Sequence, residues 1–236
     1  MSGKTAFIIP CYNEEQNIED LISSCKRIIN NSEKVIEFIL VNNGSKDLTA
    51  NKIELGISPQ IHFVNIDENI GMGNGIKKGL EFAIKSQNYK NFGWTHADLQ
   101  IPQESLIKAL KLMDDEEMDS KKIYIRGRRI NRNNFDVIFT FLMSCYTSIL
   151  KRGLYYDITG LPVLINNSLI NKVVSEAPSG FAFDVFTYIK AKRAGGKVIR
   201  FNVNFAARTK GKSSWNTGFM SKLKMCKYYI REIWKI

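Results

Sequence analysis

The sequence predicts an α/β protein, a single domain built around a mostly parallel sheet. In residues 1–100, short apolar segments typical of buried strands alternate with segments whose apolar residues recur at helical spacing. Polar, turn-forming segments follow three of the strands, at the ends where open α/β sheets bind ligands. The 236 residues can bury a substantial core, and 44% hydrophobic with 24% charged residues is typical of a globular protein.

The predicted elements follow in order along the chain. The first half has four predicted strands, at 6–9, 35–41, 61–65 and 92–95. Helices are predicted after Asn13 and at 74–86. The second half has predicted strands near 122–126, 162–165 and 197–204 and helices near 103–113, 136–151, 167–175, 182–193 and 216–234. No internal repeat or linker interrupts them, which favours one continuous domain over residues 1–236.

Positive charge is concentrated in the second half. Residues 1–100 contain 10 Lys/Arg and 12 Asp/Glu, whereas residues 121–236 contain 22 and 5. This asymmetry indicates an anionic partner such as a phosphate group or an acidic lipid surface, although a solvated basic face is the simpler alternative. Nucleic acid is not an expected partner, because no nucleic-acid-binding motif accompanies the charge.

Cysteine usage and hydropathy indicate a cytoplasmic protein. Neither a zinc site nor a disulfide framework is expected, because no CxxC pair occurs among the four scattered cysteines, Cys11, Cys25, Cys145 and Cys226. The amino-terminal apolar run is too short for a secretory signal. The longest apolar segment, 137–150, is shorter than the about 18 residues that span a bilayer, so we expect a core or interfacial helix there.

The segment His96-Ala97-Asp98-Leu99-Gln100 follows the fourth predicted strand. In an extended segment, His96, Asp98 and Gln100 point to the same side and can face one pocket. Their oxygen ligands suit Mg²⁺ or Mn²⁺, and an imidazole can join the ligands of Mn²⁺. The alternative is that Asp98 caps a turn and His96 is structural.

Basic side chains follow two later strands. Arg126, Arg128, Arg129 and Arg132 follow one strand, and another is followed by Arg208, Lys210 and Lys212. The planar guanidinium group binds phosphate oxygens in a bidentate manner. These residues therefore indicate a phosphate site, with a surface basic patch as the alternative.

Eight segments, in order over most of the chain, resemble family 2 glycosyltransferases of the GT-A fold. They are IIPCYNEEQNI, ILVNNGSKDLT, NIGMGNGIKKGLEFA, HADLQIPQE, IRGRR, DITGLPVL, GFAFD and RTKGKSS. The branch that the chain resembles most is the dolichyl- or polyprenyl-phosphate mannose and glucose synthases. The resemblance implies a Rossmann-like three-layer α/β sandwich, with a nucleotide-binding half over about 1–100 and an acceptor-binding half over about 101–236 that ends in a basic helix.

The resemblance also implies roles for individual residues. Those that would line the nucleotide-sugar pocket are Pro10, Tyr12, Asn13, Glu14, Asn42, Asn43, Ser45, Gly71, Gly73, Lys77, Ala97 and Asp98. A Mg²⁺ or Mn²⁺ ion would be held by Asp98 and Gln100, with His96 as a further ligand. Residues that would bind phosphate or the acceptor are Arg128, Arg129, Arg132, Arg208, Lys210 and Ser213. Those implied in catalysis are Asp98, Asp157, Asp184, Arg129 and Arg208.

The implied reaction is an inverting transfer of sugar from a nucleoside diphosphate sugar to a polyprenyl-phosphate-type lipid, in cell-envelope glycan biosynthesis. The enzyme would contact the anionic inner face of the membrane peripherally, and a homo-oligomer is left open. A hydroxyl acceptor, on a growing glycan or lipid-linked saccharide, is the alternative and would need Asp157 or Asp184 as general base. A catalytically weak nucleotide-sugar-binding protein is a further alternative.

The sequence departs from that branch at three points. Position 96 is His where the branch usually has a metal-binding Asp, and position 42 is Asn where the family usually has Asp. Because an amide donates as well as accepts hydrogen bonds, Asn42 suggests an altered base preference, with cytosine as the hypothesis. No membrane-spanning tail of the kind common in the branch is expected within residues 1–236, and 224–236 is predicted to be a basic, aromatic interfacial helix.

Overall fold

The structure is a computed structural model that describes residues 3–86, 89–117, 122–208, 210–211 and 219–236. The strands in these ranges are β1 (Lys4–Cys11), β2 (Ile36–Asn43), β3 (Ile61–Ile66), β4 (Tyr89–Trp94), β5 (Ile123–Ile130), β6 (Val163–Asn166) and β7 (Lys197–Asn204). The helices are α1 (Ile18–Asn31), α2 (Thr49–Leu55), α3 (Met72–Ser86), α4 (Glu104–Glu117), α5 (Asn134–Leu150), α6 (Asn167–Val174), α7 (Phe183–Arg193) and α8 (Phe219–Lys235).

The strands form one mostly parallel sheet in the order β3-β2-β1-β4-β6-β5-β7. Phe7 and Ile8 on β1 are both fully buried, and so are Phe38 and Ile39 on β2. Because neighbouring residues of a strand point to opposite faces, both faces of the sheet are covered. The predicted α/β architecture, with helices around a mostly parallel sheet, is confirmed.

Strand β6 is antiparallel to both of its neighbours, β4 and β5. Two successive reversals make β5 parallel to β4, and β7 is parallel to β5. The carboxyl ends of β5 and β7 therefore lie at the same edge of the sheet as those of β1, β2 and β4. This edge brings together the polar segments of the first half and the basic segments of the second.

Three elements differ from the prediction. Helix α2 was not predicted, because its seven residues, TANKIEL, are too few to show a helical repeat. Helix α1 begins at Ile18, since residues 14–17 form a turn rather than continuing directly from Asn13. Strand β5 extends to Ile130 because all eight of its residues pair with β7, so Arg126, Arg128 and Arg129 lie within the strand rather than after it.

Candidate active site

The carboxyl ends of β1, β2 and β4 meet at one edge of the sheet, because these strands are parallel neighbours. Pro10 lies in β1 and Tyr12 directly after it, and both are partly exposed there. The segments after β1 and β2 are joined by hydrogen bonds. The Asn13 N–H donates to Ser45 Oγ at 3.1 Å, and the Lys46 N–H donates to Asn13 Oδ1 at 2.9 Å.

Asn42 and Asn43, at the end of β2, are buried and hydrogen bonded to the protein. Asn42 Nδ2 donates to Asn65 Oδ1 at 2.7 Å, and its Oδ1 accepts the Ser45 N–H at 3.1 Å. Asn43 Nδ2 donates to the Gly71 carbonyl at 3.2 Å, while Asn43 Oδ1 has no partner among the described residues. Asn42 therefore acts first as an organiser of this edge, and the proposed cytosine contact stays a prediction.

The glycine-rich start of α3 packs against residues 177–180. A Cβ atom at Gly71 would overlap the Ser179 carbonyl, and one at Gly73 would overlap the Pro178 carbonyl. Lys77 Nζ donates to the Ala177 carbonyl at 3.0 Å. Gly71 and Gly73 thus allow the backbone of residues 177–180 to approach the start of α3 closely.

The segment after β4 is bent, not extended. Residues 97–100 form a bend, and Leu99 has a positive φ of 58°. The expectation that His96, Asp98 and Gln100 point the same way by strand alternation is therefore wrong. Asp98 Oδ1 accepts the Gln100 N–H at 3.2 Å, so it does cap a turn. The side chain of Asp98, partly exposed at the sheet edge, makes no ion pair with any described residue.

Residues 205–208 and 210–211 lie across this edge. The Ala206 N–H donates to the Gln100 carbonyl at 2.9 Å, and Gln100 Nε2 donates to the Ala206 carbonyl at 3.0 Å. Arg208 forms an ion pair with Glu14, in which both side chains are largely buried. Lys210 pairs with Asp20. Ser213, which the resemblance placed in this loop, lies outside the described residues.

A basic cavity of about 520 Å³ opens beyond β5 and β7. Its basic lining residues are Arg128, Arg129, Arg132 and Arg200, and its apolar wall includes Val137 and Phe141 of α5. Arg128 and Arg200 have no acidic partner among the described residues, and Arg200 lies over the Tyr156 ring at 4.9 Å. Burial lowers the pKa of Arg132 to about 10, which leaves it protonated at neutral pH.

Asp157 is the carboxylate of this cavity. Its Oδ1 accepts from Arg129 Nη2 at 2.6 Å, its Oδ2 accepts the Arg129 N–H at 2.9 Å, and Arg132 lies 3.8 Å away. Burial raises the pKa of Asp157, but Arg129 outweighs it and holds that pKa below its usual value. A carboxylate held so firmly as an anion is a poor general base.

Asp184 lies on the first turn of α7 and is buried. Its Oδ1 accepts the indole N–H of Trp94 at 2.8 Å, and burial raises its pKa while this bond opposes the rise. Since Trp94 ends β4 two residues before His96, Asp184 lies behind the bend of the HADLQ segment. The two acidic candidates thus differ in their partners: Asp157 pairs with arginines, and Asp184 accepts a hydrogen bond from Trp94.

The family model of glycosyl transferase family 2 matches residues 6–162, a range that runs from within β1 through β5 to the turn of Asp157. The chain belongs to glycosyl transferase family 2. It is therefore a glycosyltransferase that uses a nucleotide-sugar donor. Membership accounts for the polar segments that converge after β1, β2 and β4, although no residue role follows from the match itself.

Individual relatives of this glycosyltransferase agree in part. An uncharacterised protein of Methanocaldococcus jannaschii is 28% identical over 202 residues, covering 81% of this chain and 83% of the relative. Undecaprenyl-phosphate 4-deoxy-4-formamido-L-arabinose transferase of Shewanella sediminis is 35% identical over 79 residues, but the match covers only 32% of this chain and 24% of that enzyme.

The solved structure of Mycobacterium tuberculosis glucosyl-3-phosphoglycerate synthase, in complex with Mn²⁺, UDP and glucosyl-3-phosphoglycerate, superposes with a TM-score of 0.67. The match covers 98% of this chain and 77% of that one at 13% identity, so it shows the fold alone. Together with the family match, it confirms the GT-A fold that the sequence predicts.

Sequence reasoning about this glycosyltransferase missed two residues of the cavity, Arg200 and Tyr156. It placed Arg126 in a phosphate site, whereas Arg126 lies buried beneath the turn of Asp157 and does not line the cavity. Arg200 lies within β7, one of many basic residues in the second half. Only the pairing of Arg200 with Arg126 across β7 and β5 places it there.

Proposed function

We propose that the chain is an inverting, metal-dependent glycosyltransferase that moves a sugar from a nucleoside diphosphate sugar to a polyprenyl-phosphate-type lipid at the cytoplasmic face of the membrane. The arginine cavity is the observation that supports this acceptor. Guanidinium groups suit a phosphate, and the wall of Val137 and Phe141 suits the first units of a lipid chain.

An exposed apolar surface continues from the cavity wall. Residues of α5 that are at least partly solvent exposed are Phe135, Val137, Ile138, Phe141, Leu142 and Ile149. Helix α8, which packs on α5 where Cys226 meets Met143, adds Met220, Leu223, Ile230 and Trp234. None of the described helices combines the length and the hydrophobicity that a bilayer-spanning helix needs. This surface, flanked by Lys224, Lys227 and Arg231, suits peripheral contact with an anionic membrane.

The residues after β4 fit a divalent ion. Asp98 has a carboxylate without an ion pair, and Gln100 has an amide oxygen without a partner among the described residues. In the described part of the chain, no three His, Cys, Asp or Glu side chains are grouped so that they could hold a metal ion by themselves. Mg²⁺ or Mn²⁺ bound mainly by substrate phosphates needs only one or two protein ligands, so Asp98 and Gln100, with His96 nearby, suffice. The ion would offset charge on the departing diphosphate.

The side chains of the cavity would act on the acceptor. Arg128, Arg129, Arg132 and Arg200 would bind the acceptor phosphate, whose oxygen attacks the anomeric carbon from the face opposite the leaving diphosphate. That attack breaks the bond to the diphosphate oxygen and inverts the anomeric carbon. Because a lipid phosphate is already ionised near neutral pH, no general base is required. This agrees with the ion pair between Asp157 and Arg129, which makes Asp157 a poor general base.

The test is a transfer assay with purified protein. UDP-, GDP- and CDP-sugars are first screened with and without Mn²⁺ for a rise in melting temperature. The stabilising donor is then incubated with polyprenyl phosphate in vesicles that contain anionic lipid, and the lipid product is analysed by mass spectrometry and NMR. We expect a sugar–phosphate–lipid of inverted anomeric configuration. Donor binding without transfer to any lipid phosphate would reject the proposal and leave a nucleotide-sugar-binding protein.

A second candidate function is transfer to a hydroxyl group of a growing glycan or lipid-linked saccharide. The position of Asp184 favours it: the Trp94 indole, two residues before His96, donates to its carboxylate, and burial raises its pKa, as general bases require. Asp184→Asn distinguishes the two functions when lipid phosphate and lipid-linked saccharide are offered as acceptors. Wild-type transfer to the saccharide that falls about 100-fold in Asp184→Asn would establish the hydroxyl acceptor. Transfer to lipid phosphate but not to the saccharide, unchanged in Asp184→Asn, supports the first proposal.

A further inference from the structure

Arg126 is a charged side chain with no exposed surface, in the middle of β5. Its guanidinium lies over the ring of Tyr188 at 4.1 Å, and no described carboxylate forms an ion pair with it. Nε and Nη1 have no hydrogen-bond partner among the described residues. Asp157 and Asp184 interact with this charge at longer range, but neither forms an ion pair with it. A buried charge without a directly paired partner is costly, and an apolar residue would fill this space at lower cost. Stability alone therefore does not explain Arg126.

The hydrogen bonds of Arg126 go to one turn. Its Nη2 donates to the carbonyl oxygen of Asp157 at 2.6 Å and to that of Gly160 at 3.3 Å. The Gly160 N–H closes the turn by donating to the same Asp157 carbonyl at 2.8 Å. Arg126 thus ties both ends of the turn to the centre of the sheet.

Asp157 holds an unfavourable backbone conformation within this turn. Its φ of 40° lies in the left-handed region, which residues other than glycine adopt infrequently. Such a conformation persists only when its surroundings impose it. In this conformation the Asp157 carboxylate reaches the backbone N–H and the guanidinium of Arg129 at once.

We propose that Arg126 is a positioning residue of the acceptor cavity, which holds the 157–160 turn so that Asp157 orients the guanidinium of Arg129. The proposal rests on the proposed function only in taking this cavity as the acceptor site. Arg126 itself, which is fully buried, contacts no substrate. Its effect passes through the Asp157 carbonyl, the Asp157 carboxylate and Arg129.

The first test compares Arg126→Met and Arg126→Lys with the control Tyr124→Phe. Tyr124 lies on the same face of β5, is equally buried, and bonds Thr187 rather than the turn. We expect Arg126→Met to raise KM for farnesyl phosphate about 10-fold, a cost of about 1.4 kcal/mol, and KM for the nucleotide sugar less than about 2-fold. Arg126→Lys should have an intermediate effect, since it keeps the charge but loses the planar fork. Tyr124→Phe should lower the melting temperature and leave both KM values unchanged.

Equal increases in both KM values, or an unchanged KM for farnesyl phosphate in Arg126→Met, would overturn the proposal. If Arg126→Met does not fold, Arg126→Lys decides by the same criterion. A double-mutant cycle then tests the route of the effect. In an Asp157→Asn background, Arg126→Lys should change KM for farnesyl phosphate by less than about 2-fold, because the carboxylate that it positions is already absent. A full effect in that background would also overturn the proposal.

Binding measured without turnover separates this inference from the proposed function. Inorganic phosphate and farnesyl phosphate are titrated by calorimetry into the wild type and Arg126→Met, each with saturating nucleotide. If the wild type binds both ligands but transfers no sugar, and Arg126→Met binds about 10-fold more weakly, the positioning role stands and the proposed function falls. If the wild type transfers sugar and the two proteins bind equally, only the positioning role falls.

Discussion

Two regions lie at the same edge of the sheet and differ in how their charges are paired. The donor edge follows β1, β2 and β4, and the arginine cavity is lined by residues of β5 and β7. At the donor edge, Arg208 is paired with Glu14 and Lys210 with Asp20. In the cavity, four arginines surround one carboxylate, Asp157. The donor edge is therefore organised by its own bonds, whereas the cavity keeps positive charge available for a ligand.

This difference changes how each region should bind. Arg208 donates from Nη2 to Glu14 and from Nε to the Lys210 carbonyl, so a donor phosphate would compete with these bonds. The free guanidinium groups of Arg128 and Arg200 need no such exchange. Binding in the cavity should accordingly depend more steeply on salt, since exposed charges are screened within about 10 Å at 0.1 M ionic strength.

The largest expected effect is at the donor edge, for Asp98→Asn. Loss of the charge that would hold the metal should lower kcat about 1000-fold, which corresponds to about 4 kcal/mol. The melting temperature should stay constant, because Asn can still accept the Gln100 N–H. Steady-state rates over a Mn²⁺ series and thermal unfolding measure the two quantities. A kcat within 10-fold of the wild type would remove Asp98 from the metal site.

Asp157→Asn, unlike Asp98→Asn, should lower the stability of the protein. Removing the carboxylate leaves Arg129 and Arg132 without their partner in a largely buried site, which costs about 3 kcal/mol of unfolding free energy at pH 7. Because the folded pKa of Asp157 is depressed, its contribution is present above the unfolded carboxyl pKa of about 3.9 and is lost as pH falls through the lower folded pKa.

Urea unfolding of Asp157→Asn and the wild type, from pH 7 to pH 3, measures this contribution. The difference in unfolding free energy should shrink only below about pH 4. A difference that stays constant over the series, or that is absent at pH 7, would show that Asp157 does not stabilise the arginines. Asp98→Asn is the matched control, since it removes a carboxylate without an ion pair.

The two regions also differ in how far the sequence predicted them. The convergence of the polar segments at the donor edge was predicted, because strand ends and turn residues such as Asn42 and Asn43 are local signals. The bend at 97–100 was not, since the positive φ of Leu99 has no signature in its residue type. The predicted link between His96, Asp98 and Gln100 by strand alternation failed for that reason.

The cavity depends on contacts between distant parts of the chain. Arg200 lies beside Arg126 only because β7 pairs with β5, and β5 faces the donor edge only because β6 is antiparallel. Strand direction and long-range pairing leave no periodic pattern in a single sequence. Arg128, Arg129 and Arg132 could be found by residue type, but Asp157 was singled out only through the resemblance, and its pairing with Arg129 appeared only in the structure.

Gly73→Ala tests whether the glycine-rich loop at the donor edge serves packing or the nucleotide. The new methyl group would overlap the carbonyl oxygens of Pro178 and Gly180, so we expect a loss of about 2 kcal/mol of unfolding free energy. The control is Gly153→Ala, whose methyl group would meet only the Tyr155 ring, with a change within about 0.5 kcal/mol. Wild-type stability with weaker nucleotide binding would instead assign Gly73 to the nucleotide.

Arg200→Gln tests the excess charge of the cavity. Arg200 is exposed, lies over the Tyr156 ring and forms no ion pair with a described residue, so its loss should leave the melting temperature unchanged. We expect KM for a lipid phosphate to rise about 5-fold at 50 mM salt and less at 300 mM, because screening weakens the interaction. An equal increase at both salt concentrations would mean that Arg200 acts by shape rather than by charge.

The smallest expected effect is on base preference, for Asn42→Asp. A carboxylate at 42 can still accept the Ser45 N–H but can no longer donate to Asn65, so one internal hydrogen bond is lost. If Asn42 also contacts the base, as its difference from the family suggests, the variant should shift preference among UDP, GDP and CDP by about 3-fold, less than 1 kcal/mol. Titration calorimetry with the three nucleotides measures this shift. Equal weakening for all three would make Asn42 purely an organiser of the donor edge.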